Sequence, residues 1–318
     1  MIAWYILLVS HFFIEITGIF SHLIFMKVVV FRDLMDKYCR ASLGIMSFSM
    51  IATFVTHSAI FMTCLSTGTL FEDKECTSAS IYIPILCIYR YVTMLSLISQ
   101  LVFTIERVLS IKYAGIQDKS SFKAFFIFLV IFQQLFCLFY VYTNVFYQQV
   151  WGYFWLITMQ VIIAANLPFI YYAKYRSKKL YKEEGHLEYD LTRKHSLFNS
   201  YEITRSFIYS SGTVCLVQLI VFVLLWFFVA GFLFPWDQLH KLIFINSAIW
   251  NVDLTIFPWI IMLIHRGHRS KLIQIWREYF PVSNTTNKAK LFGFEGIELV
   301  QTVNQEEHFG QLRVAWRG

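Results

Sequence analysis

The sequence predicts an all-α membrane protein: a seven-transmembrane helix bundle with its N-terminus outside the cell and an amphipathic helix after the last span. Three observations predict it. Of the 318 residues, 57% are hydrophobic and only 15% are charged. A soluble domain carries about 25% charge, so this chain lacks the polar surface to cover a globule. Seven apolar runs are long enough to be spans, since roughly 20 such residues cross about 30 Å of hydrocarbon. Of the 27 Lys and Arg, 24 fall in alternate connections and in the tail, and basic residues stay on the cytosolic side.

The runs lie at about 3–30, 41–65, 81–105, 124–146, 151–172, 207–234 and 242–264. Each is expected to be a helix, because a segment in lipid must satisfy its own backbone N–H and C=O groups. Together they make residues 1–264 one bundle. The first run lacks the basic start and small-residue cleavage site of a secretory signal, and it carries His11, Glu15 and His22; it is read as a retained span. The basic connections follow spans one, three and five, whereas the opposite loops hold only Lys74 and Lys241, and Arg90 falls inside span three. Trp4, Trp151, Trp155 and Trp236 at outer ends, with Tyr171, Tyr172 and Tyr175 at inner ends, suit the two interfaces. The net charge of +7 then reflects topology and contact with anionic lipids, with no nucleic-acid partner implied. The long inner connection, about 174–206, is expected to extend spans five and six beyond the membrane. Pro168 and Pro258 are expected to kink spans five and seven.

After span seven, residues 265–280 place Leu272, Ile275, Trp276, Tyr279 and Phe280 on one helical face, with Arg269, Lys271 and Arg277 available to the other. That pattern suits a helix lying on the inner leaflet; a short soluble helix is the alternative. Residues 281–318 are expected to form a flexible cytosolic tail. Of the six cysteines, only Cys64 and Cys76 share the oxidising side, so a Cys64–Cys76 bridge and two free thiols both fit. The motifs of phosphate-binding loops, serine hydrolases, dithiol redox proteins and zinc proteases are missing. No enzyme activity, no cofactor and no metal site is expected, the nine His being scattered.

Seven helices with an outside N-terminus, short loops and a surface helix form the layout of G-protein-coupled receptors. At the inner end of span three stand Glu106 and Arg107, an acidic–Arg pair where such receptors carry one. The bland reading is an ion pair that snorkels to the interface. Entering span six, Ser196-Leu197-Phe198-Asn199-Ser200-Tyr201-Glu202-Ile203-Thr204-Arg205-Ser206 resembles the Ser-Leu-x-x-Arg-Tyr-Gln-x-x-Glu-Asn pattern of the nematode serpentine chemoreceptors. These form the Sra superfamily (the Sra, Srab, Srb and Sre families), with the Sre pattern slightly favoured. Ser196, Leu197 and Tyr201 match, while Ser200, Glu202, Arg205 and Ser206 depart from the pattern. The resemblance implies a plasma-membrane chemosensory receptor, of sensory neurons, that binds a small-molecule ligand and signals through a heterotrimeric G protein. It also implies coupling roles for Glu106, Arg107, Tyr201, Glu202 and Arg205. Glu202 is placed to latch spans three and six by pairing with Arg107, or else to pair with Arg205 or Lys194.

Ionisable groups inside the bilayer cost about 2.5–3.5 kcal/mol on insertion scales, so each suggests a function or an internal partner. Arg90 precedes Arg107 by 17 residues, about 25 Å of helix. That puts it in the outer third of span three, where receptors of this layout place their ligand. Arg90, with Tyr89 and Met94, is the candidate ligand site; Arg90 would face an acidic ligand or a neighbouring carboxylate. Glu15 and Asp253 fall near mid-membrane on spans one and seven. Either they share a proton with each other, or they bond Asn246, Asn251 or His11 in an intramembrane polar network, a cation site being the competing reading. Gln100, Gln133, Gln134, Gln160, Asn166 and Gln218 are expected to hydrogen-bond between helices. Competing readings are a small transporter or ligand-gated channel, and a membrane scaffold. Transporters tend to show internal repeats, and none is visible.

Overall fold

A computed structural model describes residues 2–31, 36–67, 81–112, 120–184, 191–229, 231–232 and 239–279. Among the described residues the chain is helical, without strands. The helices are α1 (Ile2–Phe25), α2 (Lys37–Ser66), α3 (Tyr82–Lys112), α4 (Ser120–Phe146), α5 (Gln148–Glu184), α6 (Leu191–Val229), α7 (Leu239–Ile264) and α8 (Arg266–Tyr279), with a π-helical turn at Met26–Val30 closing α1. The chain divides into two units, Met1–Ile273 and Gln274–Gly318.

Among the described residues, six helices are long and apolar enough to cross a membrane: Leu8–Val30, Lys37–Ser66, Tyr82–Ile111, Ser120–Phe146, Ser200–Phe228 and Phe244–Ile264. The chain is therefore a multi-pass helical membrane protein. Its surface agrees. Ile6, Val9, Phe13, Ile16, Phe20 and Leu23 form an exposed stripe along α1 at helical spacing, while His11, Glu15, Ser21 and His22 on the same helix are buried. Polar groups inside and apolar groups outside is a distribution that hydrocarbon solvates and water does not. The span expected at 151–172 lies within α5, which is outside the six. Within it, the side chains of Tyr153 and Leu156 lie outside the described residues.

Seven helices of the first unit pack in a closed ring. α1 lies against α2 and α7, α6 against α5 and α7, and α3 against α2, α4, α5 and α6. The α3–α4–α5 junction is apolar: Met94, Ile98, Tyr140, Trp155 and Ile163 form one buried cluster, and Trp155 Nε1 donates to Thr143 Oγ1 at 2.7 Å. At 37 and 39 residues, α5 and α6 measure about 55 and 58 Å. α6 ends at Val229, five residues before the expected boundary at 234. The cause is Gly231, whose φ of 77° turns the backbone into the left-handed region that glycine tolerates. Its N–H bonds Phe228 O and the Phe232 N–H bonds Phe227 O, both at 2.9 Å, closing the helix with the paired bonds of a Schellman cap.

Candidate functional site

The C-terminal part of α3 holds its charges by a local fork. Arg107 Nε donates to Glu106 Oε2 and Arg107 Nη2 to Glu106 Oε1, both at 2.6 Å, and both side chains are buried. Neighbouring helical positions do not ordinarily face each other, so Arg107 curls back on its own helix, its guanidinium 5.9 Å from the Phe103 ring. A second carboxylate, Asp36 at the start of α2, lies 3.6 Å from Arg107 Nη2. Asp36 makes no side-chain cap to α2.

The expected latch between Arg107 and Glu202 is corrected by this arrangement. The guanidinium is occupied by Glu106 and Asp36. Glu202 is buried, 3.4 Å from Arg205 Nη1, and its other oxygen accepts the backbone N–H of Arg266 at 3.4 Å. Glu202 thus ties α6 to the first residue of α8. Tyr201 is buried beside it. The side chains of Ser196 and Leu197, which carry part of the sequence motif, lie outside the described residues. α3, α6 and α7 are connected instead by rings: Phe103 to Phe207 at 4.3 Å and Phe207 to Phe257 at 5.9 Å.

Of the three residues assigned to a ligand site, Arg90 and Met94 share one face of α3 and Tyr89 turns away from them. Tyr89 faces α2, its ring 5.3 Å from His57. Arg90 turns to α4, towards Tyr140. Its Nε is buried without a partner, and no carboxylate pairs with it among the described residues. Met94 is buried in the cluster that also contains Tyr140 and Trp155.

Glu15 is the centre of a buried polar knot that joins α1, α2 and α7. Glu15 Oε1 is 3.1 Å from His11 Nδ1, 2.5 Å from His57 Nδ1 and 3.1 Å from Asn251 Nδ2; Ser58 Oγ donates to Oε2. His11 and Asn251 are partners the sequence proposed. Pairing of Glu15 with Asp253 is corrected: Asp253 lies towards Thr213 of α6, and its Oδ2 is buried without a partner. Asn246 Oδ1 is likewise buried and unbonded. Among the amides, Gln133 reaches Ser99 Oγ at 2.6 Å and Gln134 accepts from Tyr91, joining α4 to α3. Gln100 Nε2 and Asn166 Oδ1 are buried without partners.

Sequence reasoning missed His57, Ser58 and His22. His22 links three helices: Nε2 donates to Leu254 O at 3.1 Å and Nδ1 accepts from Ser47 Oγ at 3.0 Å. A His on the same helical face as Glu15 was an available signal for His11 and His22; for His57 and Ser58 the partner helix had to be known. Cys64 is disulfide-bonded, whereas Cys39, Cys87, Cys137 and Cys215 are thiols outside any disulfide. Cys76, its expected partner, lies outside the described residues.

No family model matches the chain, and no curated protein matches it. The functional reading therefore stands on the side chains themselves.

Proposed function

We propose that this chain is a chemosensory receptor of the plasma membrane that crosses the bilayer seven times, binds an acidic small molecule and signals through a heterotrimeric G protein. The observation that carries the reading is the buried Glu106–Arg107 fork at the end of α3, held by Asp36 of α2. A buried bidentate ion pair contributes little net stability, yet removing one partner costs about 3–5 kcal/mol. It suits a held charge that is released in a second state. In that second state the inner end of α6 swings outward. To do so it must part Glu202 from the Arg266 N–H and separate the Phe103–Phe207–Phe257 stack, which makes the transition two-state. Arg107, freed from Glu106, would then meet the G protein.

α5 supplies the seventh crossing in this reading. Its length of about 55 Å exceeds the 40–45 Å of a whole bilayer, and it sits in the ring between α4 and α6. The N-terminus then lies outside and α8 lies on inner-leaflet lipid. Arg90 gives the ligand its chemistry: a cation within a span, with no carboxylate paired to it among the described residues, attracts a carboxylate or similar anion.

The test measures G-protein activation in cells exposed to a panel of small organic acids. The expected results are activation by wild type, elevated basal activity in Glu106→Gln, lost coupling with retained surface display in Arg107→Ala, and loss of the acid response in Arg90→Ala. Ligand-evoked currents or uptake that persist in cells without G proteins would overturn the receptor reading in favour of a channel or transporter.

A further inference from the structure

The knot around Glu15 brings together more ligating chemistry than helix packing requires. Two imidazoles converge on one carboxylate, and one donor atom from each of His11, Glu15 and His57 lies within 4.8 Å of the other two. His11 and Glu15 are four residues apart on α1, and helical periodicity stacks such positions on one face. α2 brings His57 to the same point. The geometry points to a binding site for a divalent transition-metal ion, zinc foremost, held by His11 Nδ1, His57 Nδ1 and the Glu15 carboxylate and joining α1 to α2.

The hydrogen-bond pattern supports a cation there. Asn251 Nδ2 is 3.1 Å from Glu15 Oε1 and 3.2 Å from His57 Nδ1. An amide NH2 only donates, so His57 Nδ1 presents a lone pair to it. In the tautomer that accepts from the amide, the 2.5 Å approach of that nitrogen to Glu15 Oε1 sets one lone pair against another; in the other tautomer it is a short hydrogen bond. A metal ion bound to both atoms uses both pairs, with the two atoms drawn apart to the roughly 3 Å that bonds of about 2.0 Å to each require.

Charge points the same way. Glu15 is buried within a membrane span and makes no ion pair with Lys or Arg among the described residues. Its neighbours His11, His57, Ser58 and Asn251 carry no positive charge while the imidazoles are neutral. A dication neutralises the carboxylate, where hydrocarbon makes a bare one costly.

The surroundings hold the rings as ligands need to be held. His11 Nε2 faces Ser247 of α7 at 3.5 Å, which leaves Nδ1 turned into the knot; metal-bound imidazoles commonly bond through their other nitrogen in this way. His11 and His57 both pack on Phe61, at 4.9 and 4.3 Å between centroids. Two imidazoles and one carboxylate, with a fourth position open, are a ligand set zinc accepts; calcium and magnesium take oxygen ligands.

His11 stands nine residues from the start of α1 and His57 nine from the end of α2, so both lie about 14 Å below the same end of the bundle. The site is independent of the signalling reading and would stand if that reading failed.

The test uses full-length protein without a polyhistidine tag, stripped with chelator in lipid nanodiscs and titrated with zinc. One equivalent should bind, with affinity roughly 100-fold or more weaker in Glu15→Gln and His57→Ala, while His268→Ala keeps wild-type affinity. X-ray absorption of zinc-loaded wild type should show only nitrogen and oxygen ligands at about 2.0–2.1 Å, which keeps the proposal testable if a variant does not fold. Wild type binding no zinc, zinc on sulfur at about 2.3 Å, or folded variants with unchanged affinity would each overturn it.

Discussion

Pro258 lies inside α7 and has no N–H to donate to the carbonyl four residues earlier, that of Leu254. His22 supplies the missing donor from α1, its Nε2 3.1 Å from Leu254 O. The Ser47 hydroxyl on Nδ1 fixes the tautomer that makes this possible. Replacing His22 by Ala leaves a buried carbonyl unsatisfied, at a cost of about 1–3 kcal/mol. A lowered midpoint of thermal unfolding for His22→Ala in nanodiscs, partly restored in His22→Asn, is the expected result; equal midpoints would show that water replaces the imidazole. His265 behaves differently. It lies just beyond α7, buried, its ring stacked 4.0 Å from that of His268. Burial first, and the neighbouring imidazole second, hold its pKa well below the ordinary histidine value. The unfolded chain therefore binds a proton more readily than the folded one, and the stability is present above about pH 6.5 and lost as pH falls below it. Unfolding midpoints measured from pH 7.5 to 5 should decline less steeply for His265→Gln than for wild type.

Among the elements, α1 meets α2 and α7 closely because one position has no side chain. A Cβ at Gly18 would stand 2.4 Å from Phe54 Cζ and 2.8 Å from Thr255 Oγ1, and Phe54 is fully buried, so its ring has little room to move. Gly18→Ala should destabilise by about 1–3 kcal/mol through overpacking. Gly212 in α6 is the contrast. A Cβ there meets nothing within 4 Å, and Gly212→Ala should stabilise by about 0.8–1 kcal/mol through helix propensity alone. Thermal unfolding of the two variants side by side checks both signs, and a shared sign would contradict the packing argument. The helix ends fall within a few residues of the boundaries read from apolar periodicity where charge or polarity ends the run, as at Ser66 and Ile264. The boundaries fail at α6, where Gly231 ends the helix while Phe232, Leu233 and Phe234 continue the apolar composition.

For the whole molecule the deciding helix is α5. Seven crossings place the two ends of the chain on opposite sides of the membrane; six place them together. If α5 crosses, an epitope before Met1 is reached by antibody on intact cells and one after Gly318 only after permeabilisation. Both epitopes reached under one condition would leave α5 outside the hydrocarbon and remove the receptor layout. The ring itself limits what can move. α3 touches four helices and α1 closes against α7, while the α6 end is bound through Glu202 to Arg266 and through Phe207 to its neighbours, the ties that an outward movement has to break.

By itself, the amino-acid order determined that this chain lives in a membrane as helices, where those helices run, and which polar residues are stranded among them. Those properties follow from composition and one-dimensional periodicity, because lipid imposes its conditions on each segment separately. Partnership was decided only by tertiary structure. Glu15 was visible as an anomaly, yet nothing along the chain says that His57, 42 residues on, would meet it, or that Asp253 would turn away to Thr213. Arg107 and Glu202 have complementary charges and plausible depths, yet Glu106 and Asp36 take the guanidinium first. Which of several eligible partners a buried polar group finds depends on helix rotation and depth within the bundle, and the packing of many apolar side chains fixes those together.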